Sequence, residues 1–129
     1  MTVAFTCVLV AIVLPQIWAG YAKRGLVATG QYDNHAPRLQ LERLSGPALR
    51  ARWAEQNSYE ALPGFVAAVL IAHLAGANPV AVDALAVVHV LARVAYGICY
   101  IRDLATLRSA VWGVGFLAVL GLFVAAYAA

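Results

Sequence analysis

Four stretches of this chain are too apolar for too long to belong to a small water-soluble domain. They run over about residues 2–22, 47–77, 80–101 and 109–129. A hydrocarbon core of about 30 Å is crossed by roughly 20 apolar residues of helix. The first and last stretches reach that length without a charge. The second is wholly apolar only over residues 61–77, but its helical pattern begins earlier, near Pro47. The third is interrupted by Asp83, His89 and Arg93. Inside lipid every backbone polar group needs an internal partner, so spanning segments are helices or closed barrels. Strands of a barrel alternate in polarity, whereas these runs are continuous. Composition agrees: 64% of the residues are hydrophobic and 12% charged, against about 45–50% and about 25% in soluble domains. The expectation is an all-α integral membrane protein, a single 1–129 domain folded as a four-transmembrane-helix bundle.

The charges then set an orientation. Lys23, Arg24, Arg38, Arg43, Arg50 and Arg52 lie between the first two spans or on the approach to the second, and Arg102 and Arg108 lie between the last two. The Gly76-Ala77-Asn78-Pro79 connection and both ends carry no basic residue. Basic loops stay cytoplasmic, so both termini are expected outside, in the cytoplasmic (inner) membrane of the cell. A secretory signal would carry positive charge before its apolar region. Here the first charges, Lys23 and Arg24, follow it, and the segment is expected to remain a membrane helix. Topology accounts for the net charge of +3 with no nucleic acid partner.

Several chemistries find no support. Cys7 and Cys99 sit toward opposite ends of their spans and differ in depth by roughly 20 Å at 1.5 Å per helical residue. A disulfide allows about 7 Å between Cα atoms, so no intrachain bridge is expected. There is no Cys/His cluster of metal-ligand spacing, no Gly-rich phosphate loop and no nucleophile elbow. His73 and His89 stand alone in apolar sequence and are read as packed or interfacial histidines.

The polar residues that enter the spans need a reason. Between the first two spans, the run from Tyr32 to Arg38 is rich in turn formers, and Leu39, Leu41 and Leu44 among charges suggest a short amphipathic piece. Gly46-Pro47 marks the restart of helix, since Pro is tolerated in a first turn. Arg50, Ala54, Asn57 and Ala61 then share one helical face, with Glu60 on an adjoining one. In the third span His89, Arg93, Tyr96 and Tyr100 form a second stripe at the same spacing. Ionisable groups inside spans face the bundle interior and find partners. A Glu60–Arg93 pair that fixes helix register is one reading of the two stripes. A pocket for an anionic ligand is the other, and the two are compatible.

The pattern Arg50-x-x-x-Ala54-x-x-Asn57-x-x-Glu60, followed by Pro63 and Phe65, resembles the signature of the MAPEG family, the membrane-associated proteins in eicosanoid and glutathione metabolism. The stretch from Arg93-Val94-Ala95-Tyr96 through Tyr100 to Arg108-Ser109 is similar to that family's third helix and following loop. Tyr32-Asp33-Asn34 with Pro37-Arg38 resembles the loop of its bacterial members. The likeness covers nearly the whole chain in order. It implies a homotrimer with sites between subunits that open toward the cytoplasm, and glutathione as cosubstrate. By the same resemblance, Arg50, Asn57, Glu60, Arg93, Tyr96 and Tyr100 would line the glutathione region. Arg108 would hold the thiolate, with Ser109 beside it, and Lys23 or Arg24 would replace a basic residue after the first helix. Arg offers carboxylates a bidentate fork, and a cation beside a thiol raises its thiolate fraction.

Two departures mark the chain. Trp53 and Gln56 stand where some catalytic members carry basic residues, and the loop from Tyr100 to Arg108 is one residue shorter than in the prostaglandin synthase type. The expected function is a membrane-bound glutathione-dependent transferase or peroxidase acting on lipophilic electrophiles. The alternative is a non-catalytic trimer that binds a membrane lipid, another anionic small molecule or a different small thiol. A transporter is disfavoured, since no inverted repeat is visible.

Overall fold

The computed structural model describes residues 2–129, so residue 1 of the expected 1–129 domain lies outside it. Five helices follow one another: α1 (Val3–Ala28), α2 (Pro37–Leu41), α3 (Gly46–Leu74), α4 (Pro79–Ile101) and α5 (Ala105–Tyr127). Their starts follow local chemistry. Thr2 caps α1, its side chain accepting from the Phe5 N–H at 3.3 Å. Asn78 caps α4 through bonds from the Val80 and Ala81 N–H groups at 3.0 and 3.3 Å. Both satisfy donors that a helix start leaves without partners. The α3–α4 turn places Gly76 at φ 78°, where a Cβ would be penalised. The α4–α5 turn uses Asp103 at φ 60°, a conformation that Asp tolerates better than most side chains.

Three of these helices, α1, α4 and α5, are long and apolar enough to cross a membrane. Helix α3 is the longest, at 29 residues, but its first half carries Arg50, Arg52, Glu55 and Glu60, and it does not reach that hydropathy. Element ends differ from the sequence expectation by about one to two turns. Helix α1 continues to Ala28, carrying Lys23 and Arg24 on its last turns rather than in a loop. Helix α3 stops at Leu74 because Gly76 turns the chain, and α5 begins at Ala105 rather than Ser109. Arg108 and Ser109 therefore lie within α5, about one turn from its start. The amphipathic piece is the single turn of α2, with Leu41 buried.

Helix α5 packs chiefly on α4, and α1 chiefly on α3, while α3 and α4 join the two pairs. The crossings are made by small residues. Ala4, Ala11, Ala68, Ala72 and Ala86 surround Phe65, Val69 and Leu122 in the larger core. Small side chains let membrane helices approach closely. In the second core Trp18 of α1 lies with Leu14 and Ala54. Its indole occupies the space a side chain at Gly97 would need, so glycine is required there by the neighbour rather than by the backbone. Outward, α5 exposes Leu117 and Val124, and α4 exposes Leu91, each more than 60% accessible. Such surface is costly in water and at home in lipid.

Candidate functional site

The polar residues on α3 and α4 meet toward the α4 end that leads into Asp103. Arg93 is 4% exposed. Its Nη2 donates to Asn57 Oδ1 at 2.8 Å, and Asn57 Nδ2 donates to Glu60 Oε2 at 3.1 Å. One of the two readings of the sequence is a direct Glu60–Arg93 pair. Instead Asn57 stands between them and links cation to carboxylate through both ends of its amide, and the only ion pair among the described residues joins Arg52 to Glu55 at 2.8 Å. The reason is reach: Asn57 and Glu60 are one turn apart on α3, and Asn57 is the one that faces Arg93.

A ladder of cations and rings continues from there. The Arg93 guanidinium lies 4.5 Å from the Tyr96 ring centre. Tyr96 meets Tyr100 edge-on at 5.5 Å. Arg108, from α5, covers Tyr100 at 4.3 Å, and Trp53 tilts toward Tyr100 from α3 at 6.0 Å. Contacts of this kind contribute about 0.5–2 kcal/mol each, more where water is excluded. The i, i+3 and i, i+7 spacing of Arg93, Tyr96 and Tyr100 thus forms one continuous stripe, as helical geometry requires.

Two adjoining cavities flank this ladder. One, of about 270 Å³, lies between α3, α4 and α5 and is bounded by Asn57, Glu60 and Arg93 at its polar end. Gly64, Phe65, His89, Trp112, Gly115 and Phe116 form much of the rest. The other, of about 290 Å³, is bounded by Trp53, Gln56, Asn57, Glu60, Tyr96 and Tyr100. Together they reach the size range of small-molecule sites, about 300–1,000 Å³. A third, wide basin of about 780 Å³ lies beyond α3, where Lys23, Arg38, Arg52, Glu55, Tyr59 and Glu60 meet. Glu60 borders all three.

Other residues singled out from the sequence stand apart. Arg50 Nε donates to the Ile101 carbonyl at 3.1 Å, tying α3 to the last turn of α4, and Arg50 borders none of these three cavities. The Ser109 hydroxyl donates to the Ala105 carbonyl at 3.2 Å and is exposed. Arg24 stacks on Tyr21 at 3.9 Å. His89 is buried, stacked on Phe65 at 4.1 Å, with Nδ1 2.9 Å from the Gly115 carbonyl oxygen. It is therefore packed, as its apolar surroundings suggested, and it also walls the first cavity. Trp112 and Phe116, parallel at 5.3 Å, were missed. Their i, i+4 spacing on the last span was the available signal.

Apolar helices around a buried, amide-bridged arginine and an aromatic ladder define a multi-helix membrane protein with a polar site enclosed between helices. The chain belongs to the MAPEG family, whose family model matches residues 3–128. That family includes glutathione transferases and peroxidases. No curated protein and no solved structure matches the chain.

Proposed function

We propose that this protein is a membrane-bound, glutathione-dependent transferase or peroxidase acting on lipophilic electrophiles, and that it works as a homotrimer of four-span subunits. The observation that carries the reading is Arg93. It is a buried guanidinium tied to Asn57 and through it to Glu60, on the wall of the inner cavity and joined by Tyr96 and Tyr100 to Arg108. Glutathione carries two carboxylates, an ammonium and a thiol. Arg93 suits a carboxylate, Glu60 suits the ammonium, and Arg108 suits the thiolate, whose formation a nearby cation favours. Tyr96 and Tyr100 add hydroxyls beside the path. Arg50 acts by holding the end of α4 in place. Ser109 is the neighbour of Arg108 that would complete the thiolate site. In this reading α3 is the fourth span. Its charged half stands in the cytoplasmic interface of the inner membrane, with both termini outside. The apolar outer faces of α4 and α5 supply surface for subunit contact and lipid.

Isothermal titration of glutathione into the purified protein tests the proposal, with Arg93→Met as the control. Saturable binding that Arg93→Met weakens at least tenfold is expected. Absence of binding at millimolar glutathione would overturn it.

A second reading is favoured by Trp53 and Gln56. They border the second cavity at positions where a more cationic site would be built for an anionic tripeptide. In that reading the trimer holds a lipid, another anionic small molecule or a different thiol without turnover. Native mass spectrometry of molecules carried through purification separates the two.

A further inference from the structure

The wide basin beyond α3 holds charges of both signs that the thiol reading does not use. It is built from the end of α1, the start of α2 and the middle of α3. Lys23 and Arg38 line it, and neither is paired with a carboxylate among the described residues. Arg52 lines it as well, with Nη1 2.8 Å from Glu55 Oε2. Glu55 is only 8% exposed. Its second oxygen, Oε1, has no hydrogen-bond partner among the described residues, yet it is not one of the sealed, unpartnered buried atoms. It therefore opens on the space that Glu55 borders, which is this basin. A largely buried carboxylate held by one cation at one oxygen is incompletely satisfied. Tyr59 adds a donor: its hydroxyl accepts from Gln16 Nε2, which leaves its own hydrogen to give. Lys23 lies roughly 30 Å along α1 from Val3, at 1.5 Å per residue. The basin thus stands where hydrocarbon gives way to headgroups. On the hydrocarbon side, Val13 and Leu9 continue from Gln16 by one and two turns of α1, and Leu70 from Tyr59 by three turns of α3, all exposed.

We infer that this basin seats the headgroup of a membrane phospholipid bearing a primary amine, of the phosphatidylethanolamine kind. The phosphate takes Lys23, Arg38 and the Tyr59 hydroxyl, the ammonium goes to Glu55 Oε1, and the acyl chains lie along Val13, Leu9 and Leu70. Arg and Lys are the side chains that hold phosphate best. A primary ammonium has three donors for a carboxylate. A quaternary ammonium has none and is recognised instead by aromatic cages. An anionic headgroup such as phosphatidylglycerol would leave Glu55 unanswered and set a second negative charge near it. The volume of about 780 Å³ exceeds what a headgroup fills, leaving room for the glycerol backbone and bridging water.

This site goes beyond the thiol reading and needs only that α1 crosses the membrane. The full-length protein is placed in nanodiscs made of equal parts phosphatidylethanolamine, its N,N-dimethyl derivative, phosphatidylcholine and phosphatidylglycerol, all with the same acyl chains. Native mass spectrometry then counts the lipids it retains. Phosphatidylethanolamine is expected to be retained about threefold or more over phosphatidylcholine, the scale of one partly exposed ion pair. The dimethyl lipid should fall between them, and phosphatidylglycerol should not exceed phosphatidylcholine. Glu55→Gln is expected to bring the ethanolamine and choline lipids to parity. Arg38→Gln, an exposed change outside the spans, is expected to lower retention of every phospholipid by about the same factor. Soluble O-phosphoethanolamine at millimolar concentration should displace nothing, and displacement would assign the site to a free phosphoamine and overturn the lipid. Equal retention of the four lipids, a preference for phosphatidylglycerol, an ethanolamine preference that survives Glu55→Gln, or undiminished retention in Arg38→Gln would also overturn the inference. Should Glu55→Gln fail to fold, the methylation series on the wild-type protein still decides. Glutathione is absent from the sample, so this outcome and that of the glutathione titration are independent.

Discussion

Arg93 is held by Asn57, whose Oδ1 lies 2.8 Å from the guanidinium. Truncating that amide leaves a buried cation without its acceptor. Asn57→Ala is expected to lower stability by about 1–2 kcal/mol, between the values for charged hydrogen bonds in soluble proteins and polar contacts in membranes. Thermal unfolding in detergent measures it. An unchanged midpoint would mean that Arg93 readily finds another acceptor.

Gly97 faces an indole. Gly97→Ala inserts a methyl where Trp18 already sits, and overpacking of this kind costs about 1–3 kcal/mol. The double variant Gly97→Ala with Trp18→Leu is expected to lose less than the two single changes added together. A thermal-shift double-mutant cycle reads the difference, and strict additivity would show that the two residues do not compete for one space.

Asp83 Oδ1 accepts the Ala4 N–H at 2.8 Å, so a residue of α4 caps the first turn of α1. Asp83→Ala is expected to cost about 0.5–2 kcal/mol, the range for loss of a helix cap. Amide hydrogen exchange should rise at residues 3–6 and stay unchanged in α5. Protection that persists at residues 3–6 would assign the capping to Thr2 alone.

Arg108 tests the thiolate assignment separately from binding. Arg108→Ala is expected to remove most of the ultraviolet absorbance of bound thiolate while weakening glutathione affinity less than Arg93→Met does. Full retention of the thiolate signal would remove Arg108 from that role. The mass of the detergent-corrected particle should equal three subunits; any other number would count against the assembly.

The apolar runs made α1, α4 and α5 legible before any coordinates, since a stretch that cannot stay in water has few places to go. The stripe of Arg93, Tyr96 and Tyr100 was legible for the same kind of reason: helical spacing fixes which residues share a face. Spacing does not fix reach, which is why Asn57 rather than Glu60 meets Arg93. His89 illustrates a second limit. Its partner is the backbone carbonyl of Gly115, and a carbonyl leaves no mark in a sequence. The family resemblance placed Arg50 at the ligand, and in the structure its Nε donates to the Ile101 carbonyl. Only tertiary packing brings the end of α4 within its range.

Glu60 borders the inner cavity, the aromatic cavity and the wide basin. Molecules seated in any two of these spaces would feel one shared carboxylate. A cationic group drawn to it in one space would weaken the pull on a cation in the next and ease the approach of an anion. Such an influence is mutual by thermodynamic necessity: whatever the first occupant does to the second's affinity, the second does to the first's in equal measure. Any occupants of these three spaces would therefore influence one another through that one carboxylate, even with no movement of the helices between them.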